Sequence, residues 1–389
     1  MKSFDIVLTH LLQQVKELFP NWHAYQQETL AFCVQGVVIS GNAVMQKVSE
    51  AVWEYSESES KITSHERRLQ RFVDNARIHV NESWKALMEQ ILPYWRGKAV
   101  TLVLDMTPYT DTATIVYLGI LVQSRVLPLA WCIMPQQEQW DQGQWEIVGK
   151  LFALANADLS SSECTLLADR GLTSLELIRL CRKHGWHYVL RLKQDEWFRK
   201  KYRHFFRDWQ QSKQWIKKEG DQWYGKVLLW KEHKFETWLS ICWEEGYEEP
   251  WLLVSDKSAS HARVREYARR MKVESIFQDY KSRGYFIECS RFTNREHLHR
   301  WLFVVFLATW WIAHLGASCL HHGHRGQVDR SDRRDKGLLR IGRLWFKAIL
   351  KRAERDLGPQ TQALVMARLT HCLPFSRRNG HLYFSIYIN

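Results

Sequence analysis

The first part of the chain, residues 1–96, shows helical spacing of its hydrophobic residues. Leucine, valine and tryptophan recur at helical intervals, and no alternation of β-branched and polar residues is sustained. This pattern predicts a helical N-terminal region. Within it, the segment TSHERRLQRFVDNAR predicts a helix that begins with a capping box formed by Thr63 and Glu66.

From residue 98 the pattern changes to short apolar runs that are bounded by turn residues. The runs KAVTLVLD, ATIVYLGILV and RVLPLAWCIM come first, and CTLLAD and WHYVLRLK follow. Runs of this length predict β-strands, and helical patterns near 143–157 and 173–184 lie between the later runs. Three consecutive strands followed by alternating helices and strands predict an α/β fold, in which helices cover a mixed sheet.

Residues 193–258 are charged and rich in tryptophan, and they contain runs of period two such as KVLLWKE and KFETWLSICW. This pattern of alternating residues predicts a small β-rich insertion. A helical pattern resumes from about 260 to 282. The longest apolar run, WLFVVFLATWWIA at 301–313, is shorter than the roughly 20 residues that a membrane span requires. It predicts a buried core helix.

The charge of the chain narrows the choice of partner. The 389 residues include 55 Lys and Arg against 42 Asp and Glu, which gives a formal net charge of +13 and a pI near 9.3. Such a charge favours a polyanion, either a nucleic acid or an acidic membrane surface. The predicted helix from Thr63 carries Arg67, Arg68 and Arg71. These arginines are equally consistent with a surface that contacts the nucleic-acid backbone and with an ordinary solvated helix face.

Two further features bear on location and on metal binding. The N-terminal segment MKSFDIVLTHLLQQ does not fit a signal peptide, which predicts a cytoplasmic protein. Eight scattered cysteines without a C-x-x-C pair indicate reduced thiols rather than a disulfide framework or a zinc ribbon. The segment CLHHGH at 319–324 matches no structural zinc spacing.

Two aspartates come directly after apolar runs of the predicted sheet. Asp105 ends the first strand in TLVLDMTPYT, and Asp169 ends the fourth in TLLADRGL. Ligands of open α/β sheets bind at the carboxyl ends of the strands, so two such carboxylates on neighbouring strands could share a divalent cation. Oxygen ligands suit Mg²⁺ or Mn²⁺ rather than zinc. An aspartate after a strand is also a common turn former, and this explanation stays open.

A four-residue stripe lies in the segment REYARRMKVESIFQDYKSRG. At about 100° per residue, Tyr267, Arg270, Glu274 and Lys281 fall within an arc of about 60° on one helical face. A phenol, two cations and a carboxylate pack poorly in a core, but they can hold a phosphate beside a metal ion. An exposed helix with ion pairs at i,i+4 is the alternative.

The spacing Y-x2-R-x3-E-x6-K, together with the two aspartates, resembles the DDE transposases of bacterial insertion sequences, in the group called insertion sequence family four. The similarity extends over residues 60–350 and includes ADRGLTS, YVLRLK and DYKSRGYFIECSRFT. It implies an RNase H-like catalytic core with a β-rich insertion and helical regions at both ends. We therefore expect a helical DNA-binding region at 1–96, the core at 97–192 and 259–320, the insertion at 193–258, and a basic C-terminal region at 321–389 for DNA binding, dimerisation or both.

The resemblance also implies a mechanism. Asp105, Asp169 and Glu274 would bind two Mg²⁺ ions, for which Mn²⁺ can substitute, and these ions would drive in-line displacement at a phosphodiester. Cleavage at the element's ends, a hairpin on the excised DNA and strand transfer into a target would follow. The residues expected to contact DNA are Tyr267, Arg270 and Lys281 at the terminal phosphate, Trp251 as the platform for a flipped base, and Arg191 and Lys193 at the backbone.

The expected partners are double-stranded DNA, namely the terminal inverted repeats of the protein's own element and target DNA, and a second copy of the chain in a synaptic homodimer. No membrane partner is expected, and the resemblance places the protein in a bacterial cytoplasm near the nucleoid. Two alternatives compete with an active transposase. One is a DNA-binding protein derived from a transposase and lacking turnover, and the other is a stand-alone RNase H-like nuclease.

Overall fold

The computed structural model describes residues 3–111, 113–135, 143–202, 205–206, 208–282, 284–353, 375–378 and 381–384. The expected N-terminal region at 1–96 is described from residue 3 onward. The expected C-terminal region at 321–389 lies partly outside the described residues.

The N-terminal region is helical, as its hydrophobic spacing predicts. Buried leucines, valines and aromatic residues on the inner faces of these helices join one continuous hydrophobic core with the sheet. The α-helices are α1 (Ser3–Leu18), α2 (Ala24–Ser40), α3 (Met45–Tyr55), α4 (Ile62–Asp74) and α5 (Val80–Ile91), and a 3₁₀ turn at Leu92–Trp95 leads into the sheet.

The capping box predicted at the start of helix α4 is wrong. The helix begins at Ile62, and its N-cap Lys61 makes no side-chain cap hydrogen bond, so Thr63 already lies within the first turn. The arginines of this helix are also unequal. The Arg68 guanidinium packs 4.9 Å from the centre of the Phe32 ring, and its Nε donates to Thr29 Oγ1 at 3.1 Å. Arg68 therefore connects α4 to α2.

The first five strands form the mixed sheet that the apolar runs predict. Strands β1, β2 and β3 pair antiparallel, whereas β1, β4 and β5 pair parallel, which gives the order β3-β2-β1-β4-β5. This order and the flanking helices confirm an α/β fold with an RNase H-like core. The elements are β1 (Ala99–Thr110), β2 (Ala113–Val122), β3 (Arg125–Pro135), α6 (Gly143–Leu159), β4 (Glu163–Ala168), α7 (Leu175–Lys183) and β5 (His187–Arg191).

The insertion is rich in β-structure, and its strands extend the sheet of the core. Strand β10 pairs antiparallel with β5, with Leu253 opposite Arg191, and the order continues as β10-β9-β8-β6-β7. The ten strands thus share one sheet. Pairing with β10 also covers the edge of β5, which would otherwise expose unpaired backbone groups. The added strands are β6 (Phe198–Tyr202), β7 (Phe205–Phe206), β8 (Gln222–Leu229), β9 (Phe235–Cys242) and β10 (Trp251–Ser255).

The helix predicted from 260 to 282 is interrupted. Helix α8 (His261–Ala268) passes through a 3₁₀ turn at Arg269–Met271 into helix α9 (Lys272–Lys281). A 3₁₀ turn winds more tightly than an α-helix and changes the angular relation of the residues on either side. Residues of the four-residue stripe therefore lie on two helices and on the turn between them.

A long helix, α10 (Arg295–His321), runs through the interior, and Asn294 caps its N-terminus by accepting from two backbone amides. By length and composition it could cross a membrane, but 94% of its most apolar stretch is buried inside the protein. The core helix predicted for 301–313 is therefore confirmed. Helix α11 (Leu338–Ala353) packs against α10, and a two-stranded ladder is formed by β11 (Phe375–Arg378) and β12 (His381–Phe384).

Candidate active site

Two adjacent parallel strands place the first two carboxylates side by side. The ladder between β1 and β4 ends with Leu104 opposite Ala168, and the next residues are Asp105 and Asp169. Asp169 follows β4 as predicted. The prediction that Asp105 ends its strand is wrong, because the pairing of β1 with β2 continues to Thr110. The shorter ladder with β4 nevertheless leaves Asp105 at the carboxyl edge on that side.

Arg270 joins the three acidic residues of the predicted triad. Its Nη2 lies 2.6 Å from Asp105 Oδ2 and 3.6 Å from Asp169 Oδ2, and its Nη1 lies 3.6 Å from Glu274 Oε1. The side chain of Arg270 is only 8% exposed, whereas that of Glu274 is 51% exposed. Residues more than 160 positions apart in the sequence therefore converge around one buried guanidinium.

Burial and charge oppose each other in this cluster. Burial raises the pKa of Asp105 to about 6, and the Arg270 guanidinium and the Met106 amide counteract part of that rise. Burial disfavours the cation of Arg270, but the neighbouring carboxylates, Asp105 foremost, raise its pKa overall. The three carboxylates thus outnumber Arg270 and Arg191, the two cations that lie within 4 Å of them among the described residues, and the edge of the sheet can accept further positive charge.

Tyr267 lies beside Asp169 and is almost completely buried. Its hydroxyl donates to Asp169 Oδ1 at 3.2 Å, and burial raises the pKa of the phenol. The ring packs edge-on against Trp251, with ring centres 5.1 Å apart. Trp251 is itself buried and also contacts Tyr247 edge-on. In this conformation Trp251 supports Tyr267 rather than presenting a free face to a base.

Arg191 lies inside the cluster instead of on an outer DNA-binding surface. Its Nη1 is 3.9 Å from Asp169 Oδ1, its Nη2 pairs with Glu249, and its guanidinium lies over the Trp251 ring. Arg170 Nη1 pairs with the same Glu249 at 2.7 Å. Sequence reasoning assigned no role to Arg170 or Glu249. The signal available for Arg170 was its place directly after Asp169 in the motif ADRGLTS.

Two predicted DNA-binding residues have different surroundings. Lys281, the last member of the stripe, pairs with Glu288 at 2.8 Å and not with the triad. Glu288 follows in a 3₁₀ turn at Ile287–Ser290. Lys193 is exposed and lines a cleft with Arg170 and Glu249, next to the cluster. The stripe is thus divided, with Tyr267, Arg270 and Glu274 at the triad and Lys281 beyond it.

The donor set of this site fits a hard divalent cation. Three carboxylates converge at one edge of the sheet, and the group that now bridges them is a cation. Oxygen donors of this kind are the ligands that Mg²⁺ and Mn²⁺ prefer in proteins. The place of the guanidinium is therefore one that a metal ion can take.

A scan against protein-family models matches residues 143–311 to the family described as Transposase DDE domain. This segment is therefore similar to DDE transposase domains. It contains Asp169, Glu274 and the whole Tyr267–Arg270 region, while Asp105 precedes it. The match supports an enzyme of the polynucleotidyl transferase and nuclease class that acts in DNA transposition. Enzymes with this domain generally use divalent metal ions.

No curated protein matches the chain. Among solved structures, the chain is similar to the piggyBac transposase in a synaptic complex with hairpin DNA, seen by cryo-electron microscopy. The identity is 10%, the match covers 93% of this chain and 83% of that chain, and the TM-score is 0.44.

Proposed function

We propose that the protein is a DNA transposase that moves its own insertion sequence by metal-dependent cut-and-paste transposition. The observation that carries this proposal is the convergence of Asp105, Asp169 and Glu274 around Arg270, in a chain with a DDE transposase domain. The substrate is duplex DNA that ends in the inverted repeats of the element. The chemistry is phosphodiester hydrolysis followed by strand transfer.

We assign the three acidic residues as ligands of two Mg²⁺ ions, for which Mn²⁺ can substitute. When bound, such ions stabilise the attacking and leaving oxygens of an in-line displacement. The ions would use Asp105 Oδ2, which now accepts a hydrogen bond from Arg270, and Asp169 Oδ2, which now lies 3.6 Å from the same guanidinium. Arg270 would then turn from the carboxylates toward a phosphate, for which a guanidinium is well suited. Its Nε is buried without a hydrogen-bond partner and is available for this contact.

Other residues of the cluster would position the DNA. Tyr267 keeps Asp169 in place through its hydroxyl and can also donate to a phosphate. Lys193, which is exposed at the neighbouring cleft, is the best placed of the predicted backbone contacts. Arg191 would orient Asp169 and Glu249. Lys281 reaches the terminal phosphate only if it leaves Glu288.

We also propose that the reaction passes through a hairpin intermediate on the excised DNA. Its formation needs a flipped base, and base stacking on an aromatic ring contributes about 1–3 kcal/mol. We retain Trp251 as the platform, with the requirement that Tyr247 first moves away from its ring. Tyr247 is 39% exposed and lies in the loop between β9 and β10, so that movement disturbs no strand.

We further propose that two copies of the chain pair the two ends of the element. The N-terminal helices at 1–96 and the basic region at 321–389 are the candidates for end recognition and dimerisation, and the insertion at 193–258 supports the core at 97–192 and 259–320. The net charge of +13 supports DNA as the partner. The setting of the reaction is the nucleoid of a bacterial cytoplasm.

Cleavage of a labelled duplex that carries the DNA flanking the gene tests the assigned triad. Glu274→Gln keeps the size of the side chain but removes the charge of a metal ligand, and we expect Mg²⁺-dependent cleavage to fall by at least about a thousandfold, in the range seen when a catalytic group is removed. Binding of the same duplex should stay within about twofold, because Glu274 is half exposed and its ion pair with the buried Arg270 is one of three that this guanidinium makes.

The matched control is Glu266→Gln, which neutralises a carboxylate on the preceding helix that pairs with Arg263. Its cleavage rate should remain near that of the unchanged protein. Cleavage that survives Glu274→Gln would overturn the assigned triad. Binding to inverted repeats without any cleavage by the unchanged protein would favour a transposase-derived DNA-binding protein, and cleavage of duplexes lacking the repeats would favour a simple nuclease.

A further inference from the structure

A second group of potential metal ligands lies where the insertion meets helix α8. Sγ of Cys242, a carboxylate oxygen of Glu244 and a ring nitrogen of His261 lie within 4.8 Å of one another. Cys242 is the last residue of β9, Glu244 follows in the next loop, and His261 is the first residue of α8. The three side chains therefore come from two elements that are separated in the sequence by strand β10.

Separate contacts hold these two elements together. The amide of Ser260, the N-cap of α8, donates to Ser240 Oγ at 3.1 Å, two residues before Cys242. On the other side, the loop after β9 is fixed by the Trp243 amide, which donates to the Asp221 carbonyl at 3.0 Å. These two contacts hold the elements together in addition to the hydrogen bond between His261 and Glu244. Such prior arrangement lowers the cost of binding an ion.

The donor types select the metal. One sulfur, one imidazole nitrogen and one carboxylate oxygen match the ligands of Zn²⁺ and of Co²⁺, whereas Mg²⁺ and Ca²⁺ take oxygen ligands. A thiolate and a carboxylate also neutralise a divalent ion while the imidazole remains neutral. The triad of Asp105, Asp169 and Glu274 contains oxygen ligands alone, so the two sites would discriminate between metals.

The geometry needs only a small adjustment. His261 Nε2 and Glu244 Oε1 are already 2.9 Å apart. Zinc bonds of about 2.0–2.3 Å place tetrahedral ligands roughly 3.3–3.8 Å from one another. The side chains of His261 and Glu244 are 44% and 41% exposed, so they can rotate toward the buried Cys242 and an ion can enter from solvent. Three protein ligands leave the fourth position to water.

We propose that Cys242, Glu244 and His261 form a site for a transition-metal ion of the zinc type, separate from the catalytic triad. The ion would connect the end of β9 to the first turn of α8. The metal would hold α8 against the insertion. This matters for the candidate active site because α8 carries Tyr267 and leads into the turn with Arg270. The proposal is independent of the transposase function, since metal binding is measured directly.

Cobalt spectroscopy on the full-length protein, first freed of metal by a chelator, tests the site. A thiolate ligand gives Co²⁺ an intense charge-transfer band in the near ultraviolet. We expect this band to grow to one equivalent of Co²⁺ and to vanish when Zn²⁺ displaces the cobalt. Cys242→Ser should abolish the band. His261→Gln should weaken Zn²⁺ binding by at least about tenfold in competition with a chromogenic chelator.

Two control variants make the result specific. Cys289→Ser removes an exposed thiol elsewhere in the chain and should leave the band unchanged. Asp105→Asn removes a ligand of the catalytic triad, which lacks a thiolate, and should leave it unchanged as well. Circular dichroism checks that the Cys242 variant is folded. The His261 variant is a second test of the site that does not alter a buried side chain, because His261 is 44% exposed. Absence of the band in the unchanged protein, or its persistence in Cys242→Ser, overturns the proposal.

Discussion

Arg270 is the residue on which the candidate active site depends most directly. Its guanidinium occupies the space between carboxylates that would otherwise repel one another, with Asp105 Oδ2 at 2.6 Å. A metal ion would use the same oxygens, so the side chain and the ion compete. Under the proposed function, the arginine would stabilise the cluster without metal and would be released for a phosphate when metal binds.

Replacement of Arg270 by alanine should separate these two roles. We expect Mn²⁺ to bind roughly tenfold more tightly, because the competing cation is gone, a gain of about 1.4 kcal/mol. Cleavage of DNA should nevertheless fall, since the phosphate loses its guanidinium. Calorimetric titration with Mn²⁺ measures the first effect. Arg269→Ala, at the exposed neighbouring position, is the control and should change neither quantity. Weaker Mn²⁺ binding in Arg270→Ala would contradict the competition.

The carboxyl of Asp105 should leave a signature in the stability of the metal-free protein. Because burial raises its pKa from 3.8 to about 6, the folded state binds this proton more tightly than the unfolded chain does. The contribution of this carboxyl to the free energy of unfolding is fully present below pH 4 and is lost as the pH rises through 6. The full shift corresponds to about 3 kcal/mol.

Asp105→Asn should therefore flatten the decline in stability between pH 4 and pH 7 and make the metal-free protein more stable at pH 7, although it removes a proposed metal ligand. Urea unfolding at several pH values measures the difference. An unchanged pH profile in this variant would show that the carboxyl ionises without cost in the folded state. Asp332→Asn, at a fully exposed carboxylate, serves as the comparison.

At this scale the sequence predicts that the candidate acidic residues meet, and it misses their contacts with other side chains. Asp169 and Glu274 are at the places that the motifs indicate, yet periodicity alone could not reveal that Arg270 bridges the acids. It also could not separate Lys281, whose partner Glu288 belongs to a later turn. Glu249 was missed because its partners, Arg170 and Arg191, come from distant segments of the chain.

Among the elements, the pair formed by α10 and α11 shows how closely the interior is packed. Gly316 on α10 faces the backbone of Leu338, and Gly342 on α11 faces the backbone of Ile312. A methyl group at either glycine would overlap a carbonyl oxygen of the opposite helix. Absence of a side chain at both positions thus allows the helices to approach at backbone distance.

Alanine at these glycines should force the helices apart. We expect Gly316→Ala and Gly342→Ala each to destabilise the protein by about 1–3 kcal/mol or more, as overpacking generally does, in spite of the better helix propensity of alanine. Thermal unfolding measures the loss. Gly326→Ala, where a methyl group meets only open space, should have little effect. Equal stability of all three variants would contradict a backbone-to-backbone contact.

The elements themselves are largely predictable, since apolar runs of five to ten residues and helical periodicity are local signals. The strands from β1 to β5 and helices α6, α7 and α10 lie where their patterns indicate. The 3₁₀ turn at Arg269–Met271 was missed because its cause is tertiary. It places the Tyr267 hydroxyl at Asp169 and the Glu274 carboxylate at Arg270, although Tyr267 and Glu274 are seven residues apart.

At the scale of the whole molecule, one sheet of ten strands joins the catalytic core to the insertion. Composition predicts a β-rich insertion but not its attachment, because the pairing of β5 with β10 joins residues more than sixty positions apart. This attachment brings Trp251 and the Glu249 loop next to Asp169. The insertion therefore contributes directly to the wall of the active site.

The excess of positive charge should govern DNA binding by the whole protein. We expect the affinity for an inverted-repeat duplex to fall by roughly a thousandfold or more between about 50 and 200 mM salt, because each neutralised phosphate releases counterions. Lys193→Gln should reduce the magnitude of the salt slope by about one. Lys85→Gln, on an exposed face of α5, is the matched control. Fluorescence anisotropy measures both slopes, and an affinity independent of salt would refute an electrostatic interface.

The ladder between β1 and β4 ends one residue before each aspartate. Neighbouring side chains of a strand point to opposite faces, so a shift of β1 by a single residue would carry Asp105 to the far side of the sheet. A misaligned molecule could keep its secondary structure and most of its buried surface and still be inert. The fraction of active enzyme after refolding therefore reports how faithfully these two strands align.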